Sequence, residues 1–184
     1  MLPLDRQNEY RRRYRVLHPN WQSSGDTFEQ IVRESISSST RLLDLGGGRG
    51  GLIEKIHAEV DSATALDPDL PSLREHRVRT VSRICGLADA LPFPANSFDL
   101  VTATWLLEQL SDPATVFSEI HRVLKPNGRF IFLTPNAFHP ILIANRVSQI
   151  VPNLQRALVP RLYARAEADT FPVRYRANTG RSLH

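Results

Sequence analysis

Apolar and polar residues alternate along the chain in a pattern that predicts strands and helices in turn. Short apolar runs with the length of strands occur five times, at residues 42–45, 63–66, 81–85, 97–103 and 129–134. Segments with apolar residues at helical spacing lie between several of these runs. Because consecutive parallel strands require crossovers of this length, the pattern predicts an α/β fold with a doubly wound parallel sheet.

Two helices are predicted before the first strand. Residues 4–17 place Tyr10 and Tyr14 on one helical face, with arginines between them. Asp26 followed by Glu29 matches a capping box, so we expect Asp26 to cap a second helix. The face of this helix that packs on the sheet would contain Phe28, Ile31, Val32 and Ile36.

The other main helices follow the first strand and precede the last. One is predicted to run from Leu52 to about residue 60. Asp112 followed by Pro113 combines a favoured cap with a favoured first-turn residue, and predicts the start of a longer helix. This helix is predicted to end at residues 125–128, where a proline and a glycine occur together just before the fifth strand.

A dense glycine cluster, residues 46–51, links the first strand to the helix after it. Open α/β sheets bind nucleotides at such turns, but the cluster satisfies both GxGxxG and DxGxGxG, which leaves a nicotinamide dinucleotide and another nucleoside ligand open. Asp44 before the glycines favours a ligand that carries an ammonium and a sulfonium group. Asp67 follows the second strand, at about the offset from Gly46 at which an acid reaches ribose hydroxyls.

Together with this turn, four further stretches resemble class I S-adenosylmethionine-dependent methyltransferases with a type 11-like methyltransferase domain. The five stretches stand in that family's order, at residues 42–50, 65–68, 88–93, 96–101 and 124–128. The resemblance covers roughly residues 26–136. It implies a Rossmann-like sheet in strand order 3-2-1-4-5, with N-terminal helices and a helical C-terminal tail. The antiparallel strand pair that usually follows the fifth strand in this class is missing from the pattern.

The resemblance also implies S-adenosyl-L-methionine as the cofactor and assigns residues to its parts. The glycines would pass beneath the methionine part, and Asp67 would bond the ribose hydroxyls. Asp89 and the backbone of Ala90 would read the adenine edge, with Pro68 and Leu91 against its faces. The Thr104 backbone would meet the cofactor's amino group. The full predicted set is Asp44, Gly46, Gly47, Gly48, Gly50, Asp67, Pro68, Asp89, Ala90, Leu91 and Thr104.

No catalytic residue is assigned, because in-line methyl transfer does not require one. If the acceptor must lose a proton, Glu108 and His139 are the candidates near the ends of the fourth and fifth strands. The alternatives are a helix-surface acid for Glu108 and a loop histidine for His139, while His121 is interpreted as structural. We expect no metal site and no disulfide, since Cys85 is the only cysteine.

The chain divides into three predicted segments: an N-terminal helical segment (1–40), the cofactor-binding core (41–136) and a basic helical cap or tail (137–184) that reads as truncated. Residues 135–184 hold seven arginines against two acids. The tail would cover the acceptor pocket, pack as an ordinary surface, or contact anionic lipid as a peripheral membrane element. The fifth strand would be an edge strand of the sheet. A homodimer contact is one way in which this edge would be covered.

Composition narrows the function classes further. The chain has neither a signal-like start nor an apolar run long enough to span a membrane, so we expect a cytoplasmic protein. The arginine cluster at residues 11–15 lacks enough stacking aromatics for nucleic-acid binding. The leading hypothesis is methyl transfer to a small-molecule or lipid-like acceptor. A non-catalytic partner subunit with the same fold and a nicotinamide-dependent oxidoreductase are the alternatives.

Overall fold

The computed structural model describes residues 4–136, which contain the five predicted strands with two helices before the first of them. The helices are α1 (Leu4–Leu17), α2 (Ser24–Arg33), α3 (Leu52–Ile56), α4 (Leu70–Arg74) and α5 (Pro113–Val123). The strands are β1 (Arg41–Leu45), β2 (Ser62–Asp67), β3 (Ser82–Cys85), β4 (Phe98–Thr104) and β5 (Leu124–Leu133). Short 3₁₀ helices occupy His57–Glu59 and Leu107–Gln109. The predicted tail, with its helices at 140–165, lies outside the described residues.

The described residues fall into two compact units, residues 4–23 and residues 24–135. The first contains α1, which has the predicted bounds. Both tyrosines of its predicted face are exposed, Tyr10 by 55% and Tyr14 by 46%. The Tyr14 ring lies 4.2 Å from the ring of His18 and 5.2 Å from that of Trp21, so the helix end carries a small aromatic cluster. No helix among the described residues is both long and apolar enough to cross a bilayer.

The second unit is built on a five-stranded parallel sheet in the order β3-β2-β1-β4-β5, which confirms the predicted fold class. β1 lies in the centre, so its carboxyl end is flanked by the carboxyl ends of β2 and β4. Ligands bind at this edge of open α/β sheets because the chain leaves the sheet toward opposite faces there. β5 is an edge strand within the described residues, and what covers it stays a prediction.

The sheet separates two apolar cores. Alternate residues of β1 point to opposite faces, so Leu43 and Leu45 pack with α5 while Leu42 packs with α2 and α3. On the α5 face, Val116, Ile120 and Val123 of the helix are buried. Asp112 caps α5 by accepting a hydrogen bond from the Thr115 amide at 3.3 Å, which confirms the predicted start. The central strand is thereby fixed on both faces close to the glycine turn.

The prediction that Asp26 caps α2 is wrong. The helix begins two residues earlier, at Ser24, so Asp26 lies in its first turn. Glu29 accepts hydrogen bonds from Arg33 and Lys55 instead of closing a capping box. Ile31, assigned to the buried face, is 45% exposed. The ion pair between α2 and α3 is a long-range interaction, and a local capping pattern does not reveal it.

The predicted boundary between α5 and β5, at residues 125–128, lies too far along the chain, because α5 ends at Val123 and β5 begins directly after it. Leu124 pairs with Phe98, and the register shifts before Leu100 pairs with Arg129. Lys125 Nζ lies 2.8 and 2.9 Å from the two carboxylate oxygens of Asp99, so this ion pair holds the irregular part of β5 against β4. The turn residues are therefore contained within the strand as an irregularity.

Gly47 is expected to tolerate no side chain. A Cβ at this position would lie 2.8 Å from the Cβ of Ala65 on β2. We therefore expect Gly47→Ala to lower the free energy of unfolding by about 1–2 kcal/mol through overpacking, as measured by urea denaturation. Gly86→Ala is the control, since its Cβ would meet Leu66 Cδ1 at an ordinary 3.4 Å.

Rescue identifies the cause of this effect. Replacing Ala65 by glycine in the Gly47→Ala variant removes the methyl group that the new side chain meets. The double variant should recover part of the lost stability, because the close contact disappears. Equal stability losses in the Gly47→Ala and Gly86→Ala variants, or no rescue by Ala65→Gly, would show that the contact does not restrict this position.

Candidate functional site

The glycine turn after β1 is fastened to the end of β2. The amides of Gly46 and Gly47 both donate to the Leu66 carbonyl, at 2.8 and 3.2 Å. Gly46 and Gly48 have φ angles of +72° and +45°, which residues with a side chain rarely adopt. A Cβ at Gly46 would contact Leu106 Cδ1, and one at Gly48 would contact Asp67 Oδ2, each at an ordinary 3.7 Å, so the φ angles rather than crowding favour glycine here. The turn therefore presents bare backbone that a ligand can approach closely.

Asp67, the last residue of β2, is fixed beside this turn. Its Oδ2 accepts a hydrogen bond from the Gly48 amide at 3.0 Å, and its Oδ1 accepts one from the Asp69 amide at 2.8 Å. A carboxylate has about four acceptor positions, so both oxygens retain capacity for further donors. Two hydroxyl groups on neighbouring carbons would each be able to donate a hydrogen bond to this carboxylate. The sequence placed Asp67 at the end of a strand, and the structure adds its direct bond to the glycine turn.

Asp44 lies beneath the turn and is only 4% exposed. Its Oδ1 accepts a hydrogen bond from the Thr102 hydroxyl at 2.7 Å, across the β1–β4 pair. Burial raises the pKa of Asp44 to about 7, the Thr102 hydroxyl opposes this shift, and the charge of Asp67 adds to it. A cation bound nearby would favour the ionised form of this carboxyl group.

The loop at residues 86–94, called the β3–β4 loop below, starts at the same edge of the sheet. The Gly86 amide donates to the Asp67 carbonyl at 3.2 Å, which ties the start of the loop to the end of β2. Asp89 and Ala90 are exposed, whereas Leu91 is buried. Pro68, which follows β2, is exposed as well. The structure thus brings the predicted ribose and adenine residues to neighbouring strand ends, and their roles stay predictions.

The end of β4 carries a residue that the sequence analysis missed. β4 runs through Thr104, one residue further than predicted, and Trp105 follows with a φ angle of +58°. This backbone conformation is rare for a bulky residue. It is held by the Trp105 amide, which donates to the Leu133 carbonyl at 2.8 Å, and by Gln109 Nε2, which donates to the Trp105 carbonyl at 2.8 Å.

The Trp105 side chain is 47% exposed. Backbone strain of this kind is concentrated at functional sites, where the surrounding structure maintains it. The sequence gives no sign of the φ angle. The position directly after a strand at the ligand-binding edge was nevertheless a usable signal.

Glu108 is buried, so its interpretation as a helix-surface acid is wrong. It lies in the 3₁₀ helix after β4, is 6% exposed, and accepts a hydrogen bond from the Thr134 hydroxyl at 3.1 Å. Burial raises the pKa of this carboxyl group, and the hydrogen bonds it accepts oppose the shift. His121 is an exposed residue of α5, and His139 lies outside the described residues. Glu108 therefore remains as the described candidate for proton transfer.

A metal site finds no support in the part of the chain that the structure describes. In residues 4–136, no three His, Cys, Asp or Glu side chains lie close enough together to hold an ion. Cys85 is exposed and free. The chemistry available at this edge is therefore that of backbone amides, the carboxyl groups of Asp44, Asp67 and Glu108, and the Trp105 ring.

A comparison with protein families matches residues 43–132 to the family described as "Methyltransferase domain". The matched segment contains the glycine turn, Asp67, the β3–β4 loop, Trp105 and Glu108. It also contains nearly all of the sheet, from the third residue of β1 to the last residue but one of β5. The family match and the observed strand order thus refer to the same part of the chain.

Two curated proteins and one solved structure illustrate the likeness. The ubiquinone/menaquinone biosynthesis C-methyltransferase UbiE of Proteus mirabilis is 35% identical over 114 residues, which cover 56% of this chain and 45% of that protein. The mitochondrial arginine-hydroxylase NDUFAF5 of Danio rerio is 37% identical over 92 residues, covering 48% and 29%. The YcgJ protein of Bacillus subtilis has 25% identity and a TM-score of 0.59 over 67% of this chain and 57% of its own. The matched part spans less than half of both curated relatives.

Proposed function

Because the chain belongs to the class I S-adenosylmethionine-dependent methyltransferases, we propose that it transfers a methyl group from S-adenosyl-L-methionine to a small-molecule or lipid-like acceptor. The observation that carries this proposal is the pairing of the bare glycine turn with Asp67, through the 3.0 Å hydrogen bond from the Gly48 amide. A nucleoside bound at this edge would meet close backbone on one side and a ribose-binding acid on the other.

The electrostatics of the site suit a cationic nucleoside ligand better than a dinucleotide. A pyrophosphate carries negative charge, and it would lie near the carboxyl groups of Asp44 and Asp67. A sulfonium and an ammonium group instead favour the ionised form of Asp44. The carboxyl groups of Asp44 and Asp67, together with the family match, favour S-adenosylmethionine over a nicotinamide dinucleotide.

We assign the cofactor contacts as the family resemblance implies. The turn at Gly46, Gly47, Gly48 and Gly50 approaches the methionine part, with Asp44 beneath it. Asp67 accepts hydrogen bonds from the ribose hydroxyls. On the adenine side, Asp89 and the Ala90 backbone read the ring edge, and Pro68 contacts one face. The resemblance assigns Leu91 to the other face, but its side chain is buried in the core. The backbone of Thr104 meets the amino group.

Bound S-adenosylmethionine supplies an electrophilic methyl group on a positively charged sulfur. The residues of the chain then have to hold the acceptor in line with that methyl group and exclude water, which together provide much of the rate. Trp105 and Glu108 lie at the end of β4, beyond the residues assigned to the cofactor. We therefore assign them to the acceptor.

A planar, quinone-related acceptor fits these two residues. The exposed indole ring of Trp105 offers a flat apolar surface on which a ring system can stack. The similar protein from Proteus mirabilis is named for ubiquinone and menaquinone biosynthesis, which supports the same class of acceptor. Methylation of a hydroquinone releases a proton, and we assign the Glu108 carboxylate to accept it.

Glu108→Gln is expected to lower kcat about 100-fold, because it removes the proton acceptor while preserving the size of the side chain. The Kd for S-adenosylhomocysteine should stay unchanged, since Glu108 is assigned to the acceptor. Glu34→Gln, at an exposed position just after α2, is the matched control. Steady-state kinetics with the best acceptor gives kcat, and calorimetry gives Kd. Full turnover by Glu108→Gln would exclude this role.

The direct test of the proposed function is transfer of a labelled methyl group from S-adenosylmethionine to a panel of hydroquinones, phenols and lipid-like acceptors. We expect label in at least one acceptor, and a loss of transfer when S-adenosylhomocysteine is added in excess. Absence of transfer to every acceptor, by a folded chain that binds the cofactor, would contradict the proposed reaction.

Binding without methyl transfer is the second candidate function. Its motive is the missing antiparallel strand pair in the sequence pattern. The similarity to a protein named as an arginine-hydroxylase adds that a chain similar to this domain need not catalyse methyl transfer. The same assay separates the two candidates. A chain that binds S-adenosylhomocysteine but labels none of the acceptors would support the second.

A further inference from the structure

We infer that Glu119 and Arg122 of α5 are positioning residues for cofactor binding, acting through the β3–β4 loop. The inference rests on the proposed function, in which Asp89 and the Ala90 backbone of this loop read the adenine edge. Neither residue is itself placed against the cofactor. Their role is to hold the loop in the conformation that binds it.

Both polar groups of the Leu91 backbone are bound by these two side chains. The Leu91 amide donates to Glu119 Oε2 at 2.8 Å, and Arg122 Nη2 donates to the Leu91 carbonyl at 2.9 Å. Arg122 Nη1 also donates to the Phe93 carbonyl at 2.7 Å. Three backbone groups of an irregular loop are therefore satisfied from one helix.

The two side chains also fix each other. Arg122 Nε lies 2.7 Å from Glu119 Oε1, and Arg122 Nη2 lies 2.8 Å from Glu119 Oε2, which is the bidentate geometry of a strong charge-assisted pair. Arg122 and the Leu91 amide lower the pKa of Glu119 to about 2, against the opposing effect of burial. The pair therefore stays ionised at neutral pH, and its geometry is set before any ligand arrives.

The helix that carries the pair is itself well anchored. Val116, Ile120 and Val123 of α5 are buried against the sheet. The Asn96 and Ser97 amides donate to the carbonyls of Arg122 and Val123, so the end of α5 also fixes the chain just before β4. The loop residue that α5 holds, Leu91, directly follows the exposed Asp89 and Ala90. The core of the sheet thus determines where the adenine-reading residues lie.

Loss of the pair would leave the loop to sample other conformations. Affinity for the cofactor would then fall in proportion to the fraction of molecules in which the loop has the binding conformation. Because only the adenine side is affected, the chain would also lose discrimination at the adenine edge. A purely structural role for Glu119 and Arg122 would change stability without changing this discrimination.

The test measures Kd by calorimetry for S-adenosylhomocysteine and for S-inosylhomocysteine, which differs from it at the adenine edge. Arg122→Lys keeps the charge but loses the bidentate geometry. We expect about tenfold weaker binding of S-adenosylhomocysteine and a smaller ratio between the two Kd values. Lys125→Gln, which breaks the ion pair with Asp99 away from the loop, is the control and should leave both Kd values unchanged.

Glu119→Gln carries the same expectations, and it replaces Arg122→Lys if that variant does not fold. Faster hydrogen exchange of the Leu91 amide in the folded variants would show that the loop has been released. If wild-type protein does not bind S-adenosylhomocysteine, the proposed function itself fails. If wild-type protein binds and the variants keep both the affinity and the Kd ratio, the positioning role is overturned.

Discussion

Asp44→Asn is expected to remove a loss of stability that the wild-type protein undergoes as the pH rises from about 4 to about 7. Burial raises the pKa of Asp44 from 3.8 in a model peptide to about 7 in the fold. Between these values the folded chain holds a proton that the unfolded chain releases. The contribution of this proton to stability is complete below the unfolded pKa, and it is lost as the pH rises through the folded pKa.

The size of this effect follows from the shift. A shift of about 3 pKa units corresponds to about 4 kcal/mol in the free energy of unfolding. Urea denaturation of both proteins at pH 4, 6 and 8 measures it. The stability of Asp44→Asn relative to wild type should increase with pH by an amount approaching this value. The comparison uses only the change with pH, so the effect of the new amide on packing cancels.

Asp61→Asn is the control for charge alone, because Asp61 is exposed just before β2. Parallel pH profiles for wild type and Asp44→Asn would show that Asp44 is not the buried group that titrates. A buried carboxyl group that lowers stability at neutral pH is expected in a binding site, where the carboxylate interacts with the ligand. The position of Asp44 beneath the glycine turn supports such a need, since a bound cation would stabilise its ionised form.

Asp67→Ala is expected to weaken binding of S-adenosylhomocysteine by about 1.5–3 kcal/mol, the magnitude of hydrogen bonds to a charged group. The variant loses the acceptor for the ribose hydroxyls, and also the bond that Asp67 accepts from the Gly48 amide. Isothermal titration calorimetry measures the change in Kd. Thermal unfolding of the same sample shows whether the loss of the Gly48 bond has affected the fold.

The control for this experiment lies next to the other end of β2. Asp61 directly precedes the first residue of β2, whereas Asp67 is the last residue of that strand. The two acids therefore lie at opposite ends of β2. Asp61→Ala therefore removes an acid of the same type away from the glycine turn, and it should leave Kd unchanged. Equal Kd values for wild type and a folded Asp67→Ala variant would show that the ribose is bound elsewhere.

The arrangement of the sheet was predictable because it depends on repeated local patterns. Short apolar runs separated by crossover-length segments specify parallel strands, and the glycines at 46–51 mark the strand-to-helix turn next to the ligand edge. The Asp112–Pro113 start of α5 was equally local, and the structure confirms it. Features within a few residues of each other along the chain are the ones that a sequence pattern reports.

The remaining features depend on contacts between distant segments. Glu108 is buried through the end of β5, where Thr134 donates to it, although its local sequence resembles an exposed helix. Glu29 pairs with Lys55 of another helix, so the local capping pattern around Asp26 misled. The bonds from Glu119 and Arg122 to the β3–β4 loop join residues about 30 positions apart. No periodicity along the chain reports such contacts.

Calorimetric titration of the wild-type protein with S-adenosylhomocysteine, repeated in the presence of NADH, tests the central claim most directly. We expect saturable binding with one site per chain, and a Kd that NADH does not change. A folded sample that gives no binding heat at any of several temperatures, or one from which NADH displaces the ligand, would contradict the assignment of this edge of the sheet to S-adenosylmethionine.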